Sequence, residues 1–241
     1  MVIILEQTYV DCLAHFGVGG AHPGGLRLTK KILSKEAIDK TKFILDAGCG
    51  TGQTAAYIAE HYGCQVTSLD YNELMVEKAM QRFQRLNLPI KVIQGRTEHL
   101  PFENASFDIV LSESVIASTN LFLTITEFKR VLNQNGLLIA VEMVQEKSLS
   151  KDELEEITCF YGIPRLLSEH EWYNAFQHAG FKQIHVELGD LQFEENDVNN
   201  VPDFSISEKI NDTLFEILNE HQRLTKKYKE KLGYRIFRCF V

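Results

Sequence analysis

The segment Ile44–Thr54, ILDAGCGTGQT, constrains the fold more than any other part of the chain. An apolar run carrying one acid ends in glycines at alternate positions, Gly48, Gly50 and Gly52. Apolar residues in near-unbroken succession mark a strand buried on both faces, as in parallel sheets covered by helices. Glycines directly after such a strand let the backbone take turns closed to other residues and approach a ligand closely. In an open α/β sheet, ligands bind at this place, beyond the carboxyl ends of the strands.

The flanking sequence alternates strand and helix patterns. Residues 42–48 read as the first strand, 54–63 as a helix stopped by Gly63, and 64–70 as the second strand. A helix over 72–87 places Met75, Ala79, Phe83 and Leu86 on one face. Residues 90–95 and 107–114 read as strands, 125–133 as a helix and 136–144 as a fifth strand. Periodicity thus gives a five-stranded parallel sheet with helices on both faces. Further on come a helix around Glu169–Ala179, a strand over 182–188, a polar loop over 192–204 and a last strand over 233–241. The four-residue spacing of Ile206, Ile210, Leu214 and Leu218 predicts another helix before that last strand. The first 41 residues differ: a glycine-rich loop, FGVGGAHPGG, precedes a short helix at 26–37 and is expected to cap the ligand edge of the sheet. The expected organisation is one domain over 1–241: a cap or lid at 1–41, a cofactor-binding core at 42–144, and a C-terminal half at 145–241 with an insertion at 192–232.

Composition narrows the function. A net charge of −8 argues against a generic basic surface for nucleic acid. The five cysteines, Cys12, Cys49, Cys64, Cys159 and Cys239, form no CxxC pair, which fits free thiols in a reducing compartment and gives no support to a zinc site. The start MVIILEQTYVD is too short for a membrane span and lacks the basic flank of a signal peptide. A cytoplasmic protein is expected.

The acids around the turn decide which nucleotide it suits. The dinucleotide fingerprint GxGxxG, begun at Gly48, requires glycine where Gln53 stands, and a phosphate-binding P-loop requires a lysine that is missing. Asp46 lies two residues before Gly48, where it repels a pyrophosphate but attracts a sulfonium and an α-ammonium. Asp70 ends the second strand, where a carboxylate accepts both ribose hydroxyls. Asp70 alone suits NAD equally; Asp46 and the absent sixth glycine turn the choice to S-adenosylmethionine.

Four segments in order, LDAGCGTG, LD at Asp70 followed by LMVEKA, LPFENASFDIVLSES and EFKRVLNQNGLLIAVE, resemble the class I S-adenosylmethionine-dependent methyltransferases. They look most like the subgroup holding ubiquinone/menaquinone-type C-methyltransferases and many small-molecule methyltransferases. The resemblance is strong over 42–144 and extends weakly through SEHEWYNAFQHAGF and LGYRIFRCFV. It implies a Rossmann-like α/β fold, a seven-stranded mostly parallel sheet with an antiparallel last strand and helices on both faces. It also implies that Asp46, Gly48, Cys49, Gly50, Thr51, Gly52 and Gln53 line the methionine end of the cofactor, that Asp70 holds the ribose and that Tyr71 packs on the nucleoside. Arg96, Thr97 and Glu98 then border the adenine. Where the family often has aspartate, this chain has Arg96, which cannot accept from the adenine amino group; it either stacks on the ring or turns away and leaves the contact to backbone groups or Glu98.

Methyl transfer from a sulfonium needs neither metal nor protein nucleophile, so no metal is expected and no catalytic residue is assigned. Ser112 and Glu113, at the end of the fourth strand, are expected beside the methyl position. Glu113 either orients or deprotonates an acceptor or is a capping or water-bound carboxylate. For Glu142, near the end of the fifth strand, a solvated carboxylate is expected over an acceptor contact. His22, held in AHPGG, is either surface or a ligand-facing group carried in by the loop. Tyr9 and Tyr161 are candidate lid residues with core packing as the alternative, Trp172 is expected to pack the late helix on the sheet, and the acidic run EEND is read as a solvated loop. The absence of an NPPY-like tetrapeptide after the fourth strand, together with the acidic charge, favours a small-molecule acceptor over nucleic-acid bases or glutamine amides. A tRNA or protein methyltransferase and a non-catalytic S-adenosylmethionine-binding protein stay open as alternatives.

Overall fold

In the computed structural model, which describes residues 7–189 and 203–241, seven strands form a single sheet in the order β3-β2-β1-β4-β5-β7-β6. The strands are β1 Phe43–Ala47, β2 Gln65–Asp70, β3 Lys91–Gln94, β4 Phe107–Glu113, β5 Leu132–Gln145, β6 Gln183–Leu188 and β7 Leu232–Phe240. Only β7 runs against the rest, pairing antiparallel with both β5 and β6. This is the Rossmann-like, seven-stranded mostly parallel sheet with an antiparallel last strand that the resemblance implies, two strands more than periodicity alone gives.

The helices are α1 Tyr9–Phe16, α2 Gly25–Leu33, α3 Gln53–Tyr62, α4 Glu73–Arg85, α5 Leu121–Val131, α6 Lys151–Tyr161, α7 Glu169–His178 and α8 Asp212–Tyr228. Alternation along each strand sends side chains to opposite faces. Ile44 and Ile109 join Leu28, Ile58 and Phe83 of α2, α3 and α4 on one side. Leu45 and Val110 join Phe128 and Trp172 of α5 and α7 on the other. Trp172 behaves as expected: it is buried, donates from Nε1 to Met143 O at 3.0 Å and packs near Phe237 of β7.

A second layer lies beyond the sheet. Helices α1, α6 and α8 pack together through Cys12, Phe16, Leu214 and Ile217, with Phe160 against them. Capping boxes start α1 and α6: Thr8 and Asp11 bond reciprocally, as do Ser150 and Glu153. The expected helix through Ile206 is displaced. Ile206 is exposed and lies before α8, which starts at its Asn211 cap. Residues 203–207 instead run as a strap alongside the segment after α1. Ser205 N donates to Gly17 O, Ser207 N to His15 O and Gly19 N to Asp203 O, and Val18 bridges Phe204. Most of the predicted polar loop 192–204, with its EEND run, lies outside the described residues, as do Met1–Glu6 of the expected lid.

Candidate active site

The sheet order reverses between β1 and β4, and the glycine turn leaves β1 there. Gly48 and Cys49 both donate from their amides to Leu69 O, at 2.7 and 3.0 Å, which presses the turn against the end of β2. Gly48 has φ +85°, and a Cβ there would lie 2.3 Å from Val115 Cγ2. Gly52 has φ +75°, and its Cβ would meet the Phe83 ring of α4 at 2.5 Å. Neither position accepts a side chain, so the turn lies flush between α4 and the loop after β4.

Three carboxylates ring this turn. Asp46 is 3 % exposed and Asp70 7 %, and the Glu113 side chain is as buried as Asp70. Asp70 accepts from Gly50 N through Oδ2 and from Asn72 N through Oδ1, both at 2.9 Å. Each oxygen keeps a second lone pair. Glu113 accepts from Thr29 Oγ1 of α2 at 2.6 Å and from Thr54 Oγ1 of α3 at 2.8 Å. Burial, then the charges of Glu113 and Asp70, hold the Asp46 carboxyl well above the usual carboxylate range. Burial raises Asp70 as well. Asp46 Oδ2, Thr51 Oγ1 and Ser112 Oγ are buried without a hydrogen-bond partner. Buried polar atoms are rarely left unpaired, so these three fit a ligand that brings its own donors. A buried carboxyl cluster of this kind suits a cation, which favours the ionised form of the acids beside it.

His22 lies inside, not on the surface. Its side chain is 3 % exposed and its Nε2 stands 3.4 Å from Glu113 Oε1. The same nitrogen is 3.2 Å from Thr29 Oγ1, and Nδ1 is 3.1 Å from Pro23 O. The loop carrying it passes over the glycine turn, because Gly19 and Gly20 pack against the Gln53 side chain. The histidine and glutamate singled out in the sequence are thus brought together.

Glu142 corrects the expectation of a solvated carboxylate. It is fully buried, and its oxygens accept from the amides of Val115, Ile116 and Ala117 at 3.2, 2.8 and 3.4 Å. Burial pushes its carboxyl up to about 8. These bonds fasten the turn after β4, where Ser114 takes a left-handed conformation with φ +61°. A non-glycine residue in that region is held by its surroundings. Glu142 supplies that hold, and Val115 is thereby set against Gly48.

On the far side of Asp70, Tyr71 is half exposed and the Arg96 guanidinium lies over its ring, 5.6 Å from the centroid. Thr97 is buried, with Oγ1 3.2 Å from Thr124 Oγ1 of α5, and Glu98 accepts from Asn120 N at the start of that helix. Tyr9 and Tyr161 lie in the outer helical layer, their rings 5.2 Å apart and edge-on. Tyr161 Oη is 3.1 Å from His221 Nδ1. Their rings pack with Phe160 and His221.

Sequence reasoning missed Thr29, Thr54, Lys78 and Arg82. Only the last two carried a signal. They are basic residues four apart on α4, adjoining the apolar stripe of Met75, Ala79 and Phe83. Among the described residues, no helix is long and apolar enough to cross a membrane, and no group of three or more His, Cys, Asp or Glu is placed to hold a metal.

Known proteins resemble this chain throughout. Residues 45–140 match the family model described as a methyltransferase domain. An uncharacterized methyltransferase of Bacillus subtilis (strain 168), YodH, is 39 % identical over 231 residues, covering 96 % of this chain and 98 % of its own. The solved MccD protein superposes with a TM-score of 0.73 at 18 % identity, over 92 % of this chain and 99 % of its own. Phosphoethanolamine N-methyltransferase 2 of Haemonchus contortus, solved with S-adenosyl-L-methionine, gives 0.77 at 19 % identity, over 97 % of this chain and 57 % of its own. With a homologue matched from end to end and the sheet order and glycine turn described above, the chain belongs to the class I S-adenosylmethionine-dependent methyltransferases.

Proposed function

We propose that the protein transfers a methyl group from S-adenosylmethionine to a small-molecule acceptor in the cytoplasm and releases S-adenosylhomocysteine. The observation that carries this reading is the buried carboxylate set Asp46, Asp70 and Glu113 around the glycine turn, with Asp46 Oδ2 left unpartnered. A pyrophosphate there meets three acids, whereas a sulfonium and an ammonium are attracted.

In this reading Asp46 and the Gly48–Gln53 turn hold the methionine end, and Asp70 takes the ribose hydroxyls on its free lone pairs. Tyr71 packs on the nucleoside, Arg96, Thr97 and Glu98 border the base, and Ser112 lies beside the methyl group. The cofactor supplies an electrophilic methyl on sulfur. The protein's own part is to align the acceptor and exclude water. His22 and Glu113 are the groups placed to orient an acceptor or accept its proton. The 1–41 segment serves as the cap over this site, since His22 and Gly19 already lie on it. Within the family, the motif set leans toward the subgroup of ubiquinone/menaquinone-type and other small-molecule methyltransferases. Acidic charge supports a small acceptor over nucleic acid.

The test is incubation with methyl-labelled S-adenosylmethionine and, separately, a metabolite extract, total tRNA and a protein pool, with mass identification of the labelled product. Label in a metabolite supports the reading. Label confined to tRNA or protein replaces the acceptor class. Cofactor binding with no labelled product in any pool favours a non-catalytic binding protein.

A further inference from the structure

Helix α4 is the backrest of the glycine turn, and one of its residues does more than fill space. Arg82 is 9 % exposed, unusual for an arginine, and its guanidinium spans two parts of the chain. Its Nε donates to Thr51 O at the tip of the glycine turn, at 2.8 Å, while Nη1 donates to Asp203 Oδ2 of the strap. One turn earlier, Lys78 is also buried and donates from Nζ to Ser205 O of the same strap. The strap in turn pairs with residues 15–19, whose continuation lies over Gln53 and Glu113.

We propose that Arg82 is a positioning residue for the cofactor: it fixes the Thr51 carbonyl of the glycine turn and, through Asp203, makes the docking of the 203–207 strap depend on that turn's ligand-bound shape. The planar fork suits the task, because separate N–H groups bond two acceptors on different segments at once. A lysine at 82 keeps the charge but not the fork. The coupling runs both ways, since what orders the turn favours the strap and the reverse. The proposal rests on the reading of the glycine turn as the S-adenosylmethionine site.

The experiment uses the full chain with S-adenosylhomocysteine as probe. Affinity is read by calorimetry, and strap docking by the rate of tryptic cleavage after the exposed Lys209, with and without probe. For wild type, the probe is expected to bind and to slow cleavage. In Arg82→Lys, loss of a charge-assisted bridge is expected to raise Kd about tenfold and to abolish the protection, with the melting midpoint little changed. Asp203→Asn, a milder change at a part-exposed residue, should lose most of the protection with a rise in Kd of about threefold, and it decides the matter if Arg82→Lys does not fold. Unchanged Kd and protection in the folded variants overturn the proposal. So does faster cleavage that is equal with and without probe, because that is the mark of a purely structural tie. A wild-type protein that gives no binding heat removes the underlying site reading instead, and the proposal with it.

Discussion

His22 Nε2 lies 3.4 Å from Glu113 Oε1, a contact that joins the glycine-rich loop before α2 to the end of β4. Thr29 completes the arrangement by donating to the same carboxylate oxygen and lying 3.2 Å from the imidazole. A loop and the helix that follows it thus meet the distant end of β4 beside the glycine turn.

Replacing this histidine separates chemistry from cofactor binding. His22→Ala is expected to cut turnover by about a hundredfold, the lower end of what a placed acid–base group contributes. The affinity for S-adenosylmethionine should stay within about twofold, because Gly48–Asp70 is untouched. Labelled transfer and calorimetry check the two halves. Unchanged kinetics would return His22 to a packing role.

Asp70 is expected to govern cofactor affinity. Two hydrogen bonds to a charged acceptor contribute about 1.5–3 kcal/mol each. Asp70→Ala should therefore weaken binding by at least about a hundredfold, and it also frees the Gly50 amide now bound to the carboxylate. Calorimetry giving wild-type affinity would refute the ribose role. NADH should bind poorly to the wild type, and tight NADH binding would contradict the reading of the three acids.

Glu142 makes stability depend on pH in a direction opposite to that of a salt-bridged acid. Its folded-state value, near 8, lies above the ordinary 4.5. The native state thus holds a proton that the unfolded chain releases between those values. The resulting contribution is fully present below about 4.5 and is lost as pH rises through about 8. Glu142→Gln retains an oxygen for the Ile116 amide and cannot ionise. Chemical denaturation from pH 5 to 9 should show a flatter profile in that variant, and identical slopes would show that the carboxyl is not the titrating group. Glu142→Ala, which leaves three turn amides unpaired, should be markedly less stable.

Removal of residues 1–25 tests the cap. The Gly48–Asp70 apparatus remains, so S-adenosylmethionine should still bind while turnover disappears. The melting midpoint should also fall, because Cys12 and Phe16 leave Leu214 and Ile217 uncovered, and losing a buried phenylalanine costs about 3–5 kcal/mol. Full methyl transfer by the folded truncated protein would rule out a lid.

Local chemistry made much of this site legible. Asp46, the glycines and Asp70 all fall where strands end, and strand ends are marked by apolar runs stopping. The outer layer was harder to read. Helix α1 has only eight residues, and the pairs that announce α1 and α6, Thr8 with Asp11 and Ser150 with Glu153, carry only a weak local signal. The spacing from Ile206 to Leu218 suggested one continuous helix, yet the strap's pairing with 15–19 keeps Ile206 extended. β5 begins at Leu132, earlier than its apolar run, because Leu132 pairs with Phe107 across an irregular register. Thr29 and Thr54 were invisible for one reason: their shared partner Glu113 lies far away in sequence, and no local pattern encodes such a meeting.

The bridge between Val18 and Phe204 ties the loop after α1 to the strap by a pairing of long sequence separation. Helix α1 is held in the same way: Cys12 Sγ donates to Leu214 O, 202 residues further on, and Phe16 packs with Ile217. The loop that passes over the glycine turn is thus tied at two points to far-off parts of the chain, by Val18 to the strap and by His22 to β4.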